Sequence, residues 1–381
     1  MMVTMKTPKI VIIVILSSLL LQDCAPQSKP MVAVLTTPTQ YLAKPPSPTQ
    51  SIPTPLILSP TSCNHLYVGQ SPFTKSIADS HLLYKGLTKD IGWQFWVLSI
   101  GDTKLQALNN YPQASGDLGF LNDKQHFIAT GFYDVWLGNI DGLPARKIDE
   151  INLHDPLLAN FRPYSQIWAD IVDVADPNPP PDRFDYMNGR FHSPDNKKIA
   201  IWKPGDSGLF LLDQASMQQV KAVATGIHDT ISGTWTSDSQ RFIFAYTHGS
   251  PDKFDTQLLE INSDGTELRS LTPPVNQMTY ESPVISPDDE KIVFTINQSV
   301  YQSFGLLRLN DGSLNIYQLE ETPGLFVYGD RTVWSPDSQW FAFVLSNPDR
   351  SEEIHITNIE SAETYCVSPS IALRNIGMDW H

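Results

Sequence analysis

One recurring stretch constrains this chain more than any other feature. Its fullest copy is Val333-Trp334-Ser335-Pro336-Asp337-Ser338-Gln339-Trp340-Phe341-Ala342-Phe343, an aromatic strand end, a Ser-Pro-Asp turn and an alternating apolar strand. Aligned on the turn aspartate, the copies carry Asp123, Asp195, Asp238, Asp288 and Asp337, the last four spaced 43, 50 and 49 residues apart. Each is followed by a strand such as Ile199-Ala200-Ile201, Phe242-Ile243-Phe244 or Ile292-Val293-Phe294. Several then close on an acidic glycine turn, as at Asp141-Gly142, Asp264-Gly265 and Asp311-Gly312. A period of 43 to 50 residues suits about four short strands per unit. Proline presets φ for a tight turn and the aspartate can accept bonds from backbone amides inside it. The strand-end aromatics Trp235 and Trp334 are read as plugs between neighbouring sheets. Trp235, Trp334 and the five aspartates are therefore assigned a structural role.

The remaining composition agrees with a turn-rich β protein: 30 prolines, 21 glycines and 9 tryptophans, with no sustained helical stripe beyond the first 25 residues. Charged residues make up 18% and the formal net charge is −15, which argues against a nucleic-acid partner.

These units resemble the WD-like repeats of TolB-type β-propellers, whose pattern is Trp-Ser-Pro-Asp-Gly, an Ile-Ala-Phe strand and a later Asp-Gly turn. The match covers about residues 115–365. Where the family has glycine, this chain has Asn196, Ser239, Asp289 and Ser338, which leaves the turn type open. A degenerate first blade is read from His81-Leu82-Leu83-Tyr84 and Phe95 to Asp102. The terminal segment Ile376-Gly377-Met378-Asp379-Trp380-His381 is expected to pair back onto it, because a propeller closes its ring by uniting both termini in one blade. The expected fold is all-β, a six-bladed β-propeller. The 72 residues between Asp123 and Asp195 leave room for a seventh blade.

The N-terminus reads as a targeting segment. Lys6 and Lys9 precede the apolar run Ile10 to Leu21, too short to span a bilayer but suited to a secretory signal over residues 1–23. Leu21-Gln22-Asp23-Cys24 resembles a bacterial lipoprotein signal, which implies lipidation at Cys24; Asp23 departs from the small residue that the pattern places there. Residues 24–62 form a Pro/Ser/Thr-rich tether, with nine prolines after residue 24. The propeller is then expected over 63–381, with an insertion at about 151–187. In a closed ring Cys63 and Cys366 become neighbours, so a disulfide between them is expected at the seam.

No catalytic set emerges. Gly205-Asp206-Ser207-Gly208 falls between two strands of one blade, where a polar turn is expected anyway. His192 takes the place of the strand-end aromatic and reads as packing. No zinc spacing, metal site or cofactor motif is present, and the acids Asp170, Asp173, Asp176, Asp182 and Asp185 fit no calcium-loop pattern. The 151–187 insertion reads as a partner-contacting loop or a solvated connector. The expectation is a non-enzymatic, monomeric protein-interaction scaffold, exported and tied to a membrane by a lipid anchor. The alternative is a small-ligand binder or enzyme using the central channel.

Overall fold

The structure, a computed structural model, describes residues 55–58 and, from 77 to 380, the strands and most turns between them. Residues 1–54, 59–76, 109–117, 121–124, 149–189, 224–229, 320–325, 368–374 and some shorter stretches lie outside the described residues. The signal segment, Cys24, Cys63, Asp123 and the 151–187 insertion fall among these.

The described residues form six sheets, antiparallel throughout except for one edge strand. A short strand β1 (Leu56–Leu58) comes first. Blade 1 holds β2 (His81–Thr88), β3 (Gly92–Ser99) and β4 (Lys104–Leu108); blade 2 holds β5 (Leu118–Phe120), β6 (His126–Thr130), β7 (Val135–Asn139) and β8 (Arg146–Ile148). Blade 3 is β9 (Arg190–His192), β10 (Lys198–Lys203), β11 (Gly208–Asp213) and β12 (Gln218–Val223). Blade 4 is β13 (Thr230–Trp235), β14 (Arg241–Ser250), β15 (Lys253–Asn262) and β16 (Arg269–Ser270), with β17 (Val275–Asn276) also paired to β15. Blade 5 is β18 (Thr279–Ile285), β19 (Lys291–Gln298), β20 (Tyr301–Arg308) and β21 (Leu314–Leu319). Blade 6 is β22 (Phe326–Trp334), β23 (Trp340–Ser346), β24 (Glu352–Asn358) and β25 (Thr364–Cys366). The last strand, β26 (Asn375–Trp380), pairs antiparallel with β2, Leu82 opposite Trp380, and so becomes the innermost strand of blade 1. The expected closure is therefore the one observed, and the described residues form six blades of a β-propeller.

Strand β23 shows why these strands are apolar throughout. Successive side chains of a strand point to opposite faces. Phe341, Phe343 and Leu345 pack toward blade 5, against Phe304 and Tyr317; Trp340, Ala342 and Val344 pack toward blade 1, against Leu82 and Tyr84. Both faces of the blade are covered, so β23 buries every residue from Trp340 to Leu345, each large side chain contributing about 1.5–3 kcal/mol.

The turns carry one repeated hydrogen-bond pattern. Ser193, Thr236, Ser286 and Ser335 each donate a hydroxyl to the turn aspartate two residues on, at 2.8, 2.6, 2.5 and 2.7 Å. The aspartate then accepts the amide of the residue two further along, as Gln240 N–H to Asp238 at 2.9 Å. Burial alone pushes the Asp195 and Asp288 carboxyls up, but the bonds they accept outweigh it and both settle below the usual range. Asp238 is lowered chiefly by the Thr236 hydroxyl. Such groups stabilise the fold above the unfolded-state carboxylate pKa of about 4, a contribution lost as pH falls through their lowered values.

The missing family glycines also find a reason. Ser239, Asp289 and Ser338 sit at φ of 60°, 58° and 58°, the left-handed turn that glycine would adopt without strain. Each reaches back to the turn of the preceding blade. Ser239 Oγ accepts Asp195 N–H at 3.1 Å and Ser338 Oγ accepts Asp288 N–H at 3.2 Å. Asp289 accepts the Ser237 amide at 2.9 Å and its hydroxyl at 2.5 Å. The side chain trades backbone strain for a staple between blades. Ser338→Ala should therefore cost about 1–2 kcal/mol, losing the staple and keeping the strain, whereas Ser338→Gly should come within about 0.5 kcal/mol of wild type. Urea denaturation of the pair checks this, and equal losses would remove the compensation.

One boundary differs from expectation. Leu56–Leu58, inside the segment assigned to the tether, pairs in parallel with β21 as a fifth strand on the outer edge of blade 5, and Leu58 is fully buried.

Candidate functional site at the channel mouth

A cavity of about 320 Å³ lies where the inner strands end, and each of the six described blades contributes to it. Its wall includes Phe120 from β5, His192 from β9, Trp235 from β13, Ile285 from β18, Trp334 from β22 and Trp380 from β26. In each blade this is the residue that ends the inner strand, just before the repeated turn in the five blades that have one. The turns add Pro194, Pro287 and Pro336 at the rim. The motif therefore builds the frame and, with the same residues, lines the cavity.

Sequence reasoning treated Trp235, Trp334 and His192 as packing. They are 3%, 5% and 4% exposed, and they also line the cavity. Each indole N–H is already used in the wall. Trp235 donates to the Phe191 carbonyl at 2.7 Å, Trp334 to the Val284 carbonyl at 2.9 Å and Trp380 to Ser80 Oγ at 2.8 Å. What the rings can offer the cavity is π surface.

Asp379 is the residue that sequence reasoning missed. Aligned on the strand-end position it occupies the place of Thr234, Val284 and Val333, a carboxylate where the relatives are uncharged. That mismatch was the available signal. Its Oδ2 accepts the Phe120 amide of blade 2 at 2.6 Å and its Oδ1 the Trp380 amide at 2.9 Å. Loss of solvent is the larger influence; it outweighs the two amides and pushes the carboxyl up to about 6. The folded protein thus holds a proton between about pH 4 and 6 that the unfolded chain has released, so this group's contribution to stability falls as pH rises through that window. Asp379→Asn replaces one accepting oxygen by an amide nitrogen, so it should lose about 1 kcal/mol near pH 4 and, relative to wild type, gain an amount on the order of 2 kcal/mol between pH 4 and pH 7.5. Urea titrations of both proteins at the two pH values test it; a constant offset would show that burial of the charge is not the cause.

Asp195, Asp238, Asp288 and Asp337 each accept a hydroxyl within their own turn, and none of the four lines the cavity. The Gly205-Asp206-Ser207-Gly208 segment leads into β11, with 205–207 outside the described residues. Away from the mouth, Glu353, His355 and Cys366 bring their ligating atoms within 4.8 Å of one another. Cys366 there is the cysteine assigned to a bridge with Cys63.

No protein-family model matches the chain, and no curated protein does. Among solved structures it is similar to TolB from Acinetobacter baumannii, with a TM-score of 0.49, 12% identity, and coverage of 80% of this chain and 67% of that one. It is similar to a prolyl endopeptidase at TM-score 0.48 and 13% identity, covering 80% of this chain and 50% of that one. A chain of a nidogen/laminin complex gives 0.42 and 11%, over 79% and 98%. The fold assignment rests on the sheets themselves. The chain is a β-propeller, and the residues that close the inner strands of its six described blades converge on one aromatic, proline-rimmed cavity.

Proposed function

We propose that the protein is an exported, lipid-anchored, non-enzymatic interaction scaffold at the bacterial cell envelope, a monomer that meets a protein partner at the channel mouth. The observation that carries this is the chemistry of the wall. It is built mainly of tryptophan, proline, valine and isoleucine, with His192, Asp379 and a few hydroxyls among them, and its indole donors and Asp289 already serve the fold. Such a surface favours burial of partner side chains over turnover. The charged start, apolar run and Cys24 support export and anchoring, and the proline-rich stretch supports display away from the membrane.

The test is affinity capture from native membranes with the full chain as bait. A partner should co-purify and be lost with Pro336→Glu, which places charge at the rim. If nothing depends on the mouth while small neutral molecules raise the melting temperature, the scaffold reading fails. The second reading, a small-ligand binder or enzyme, draws its support from Asp379, the kind of displaced carboxyl that ligand sites hold.

The Cys63–Cys366 bridge belongs to the same proposal, since export favours it. Cys366 is buried at the end of β25. Alkylation of denatured, unreduced protein should leave both cysteines unmodified, as read by peptide mass. Two alkylated thiols would refute the pairing.

A further inference from the structure

We propose that the channel-mouth cavity binds an organic ammonium group carried on a compact apolar body, with Asp379 as its counter-ion. This deepens the scaffold reading and rests on it, because the ammonium is then the feature of the partner that the mouth recognises. Three observations converge. The described lining holds two carboxylates, Asp379 and Asp289, and neither lysine nor arginine, so anionic groups are disfavoured. Asp289 is held at the rim by the Ser237 amide and hydroxyl, which leaves Asp379 as the charge of the interior. Each Asp379 oxygen accepts one backbone amide, which leaves acceptor capacity on both.

A carboxylate drawn partly out of solvent with only neutral donors is costly, and an opposite charge relieves that cost. A neutral apolar guest would fill the space and leave the charge unpaired. A calcium ion needs six to eight oxygen ligands, which a wall of Trp235, Trp334, Trp380 and Phe120 does not supply. An ammonium on an apolar body suits both halves of the lining: the carboxylate meets the charge, and the aromatic surface receives the body and adds cation–π attraction. The pH behaviour of the site follows. The Asp379 carboxyl is pushed up to about 6, so a guest that needs its charge should weaken below that pH. His192 on β9 and Asp289 on the rim are the other titratable groups of the wall, and protonation of either acts in the same direction.

The experiment uses the full-length chain in detergent at pH 7.5, with calorimetry and tryptophan fluorescence as readouts. Choline and n-butylammonium should bind, and 3,3-dimethyl-1-butanol, the neutral isostere of choline, should bind at least roughly tenfold more weakly. Asp379→Asn should weaken both ammonium guests by a similar factor while remaining folded by circular dichroism and shifting in stability with pH as stated above. In His192→Gln the loss of affinity below about pH 6 should persist, since it belongs to Asp379. Alanine amide and Nα-acetyl-lysine amide separate a chain-terminal from a side-chain ammonium, and binding of either supports the proposal. Equal binding of the isostere, an unaffected Asp379→Asn, or binding of calcium with no ammonium guest would each overturn it. If the membrane partner is captured equally by wild type and Asp379→Asn, the ammonium assignment falls and the scaffold stands. If ammonium guests bind and no partner is captured, the scaffold falls and the site stands.

Discussion

Gly305→Ala is expected to destabilise the propeller by about 3 kcal/mol, near the upper end of the range for an overpacked core. Gly305 lies on β20 directly opposite Phe294 of β19, and the Phe294 ring lies across the backbone there. A Cβ at position 305 would come 2.2 Å from the ring's Cζ and 2.6 Å from both Cε atoms. The ring has no room to retreat, because Phe294 is 1% exposed and packs edge-on to Tyr280 at 4.8 Å between centroids. The glycine is therefore required by space and not by backbone conformation. Gly312 supplies the contrast: its φ is 72° and nothing lies within 4 Å of a Cβ built there. Gly312→Ala should cost only about 1 kcal/mol, for strain alone. Adding Phe294→Leu to Gly305→Ala should recover part of the loss and do nothing for Gly312→Ala. Chemical denaturation of the four proteins measures all of this. A Gly305→Ala loss no larger than that of Gly312→Ala would show that the ring yields.

Leu58→Asp is expected to cost about 3 kcal/mol, where a disordered tether would tolerate it freely. Leu58 is fully buried among Phe304, Tyr317 and Ile359, and its strand completes the outer edge of blade 5. A carboxylate there would be unpaired, so β1 should peel away, which caps the loss at the docking free energy of that strand. Tyr317, whose hydroxyl donates to the Ile359 carbonyl at 2.5 Å, would then lose its cover. Leu56, on the same strand but 44% exposed, is the control, and Leu56→Asp should stay within about 0.5 kcal/mol of wild type. Hydrogen exchange should show the Tyr317–Leu319 amides opening in Leu58→Asp and not in Leu56→Asp. Identical behaviour of the two variants would return Leu56–Leu58 to the tether.

The two regions differed in how far they could be read from residues alone. The turns were legible because Ser-Pro-Asp is a local device: hydroxyl, proline and carboxylate act within a few residues, and the repeat displays them several times over. The departure from glycine was also visible, though its reason was not. That Ser338 serves the turn of blade 5 depends on a contact across 50 residues, which no local pattern encodes. Strand β1 was hidden by composition. Prolines on both sides of Leu56-Ile57-Leu58 argued for an extended tether, and only the open edge of β21 supplied the partner that turned it into a strand. Asp379 was misjudged by omission. It was quoted as part of a strand, while its chemistry comes from five other inner strands that close around it.

From its sequence alone the chain is determined as a ring of sheets built on a 43- to 50-residue period, closed by its own C-terminal strand and preceded by an export-like segment. These features follow from turn chemistry and apolar spacing, which act over short ranges. The tertiary structure alone decided that the strand-end residues of six blades meet in one cavity, that Asp379 keeps its carboxyl inside that cavity, and that Leu58 belongs to blade 5. The reason is physical. Burial, desolvation and charge isolation belong to a site only when residues distant in the chain have been brought around it.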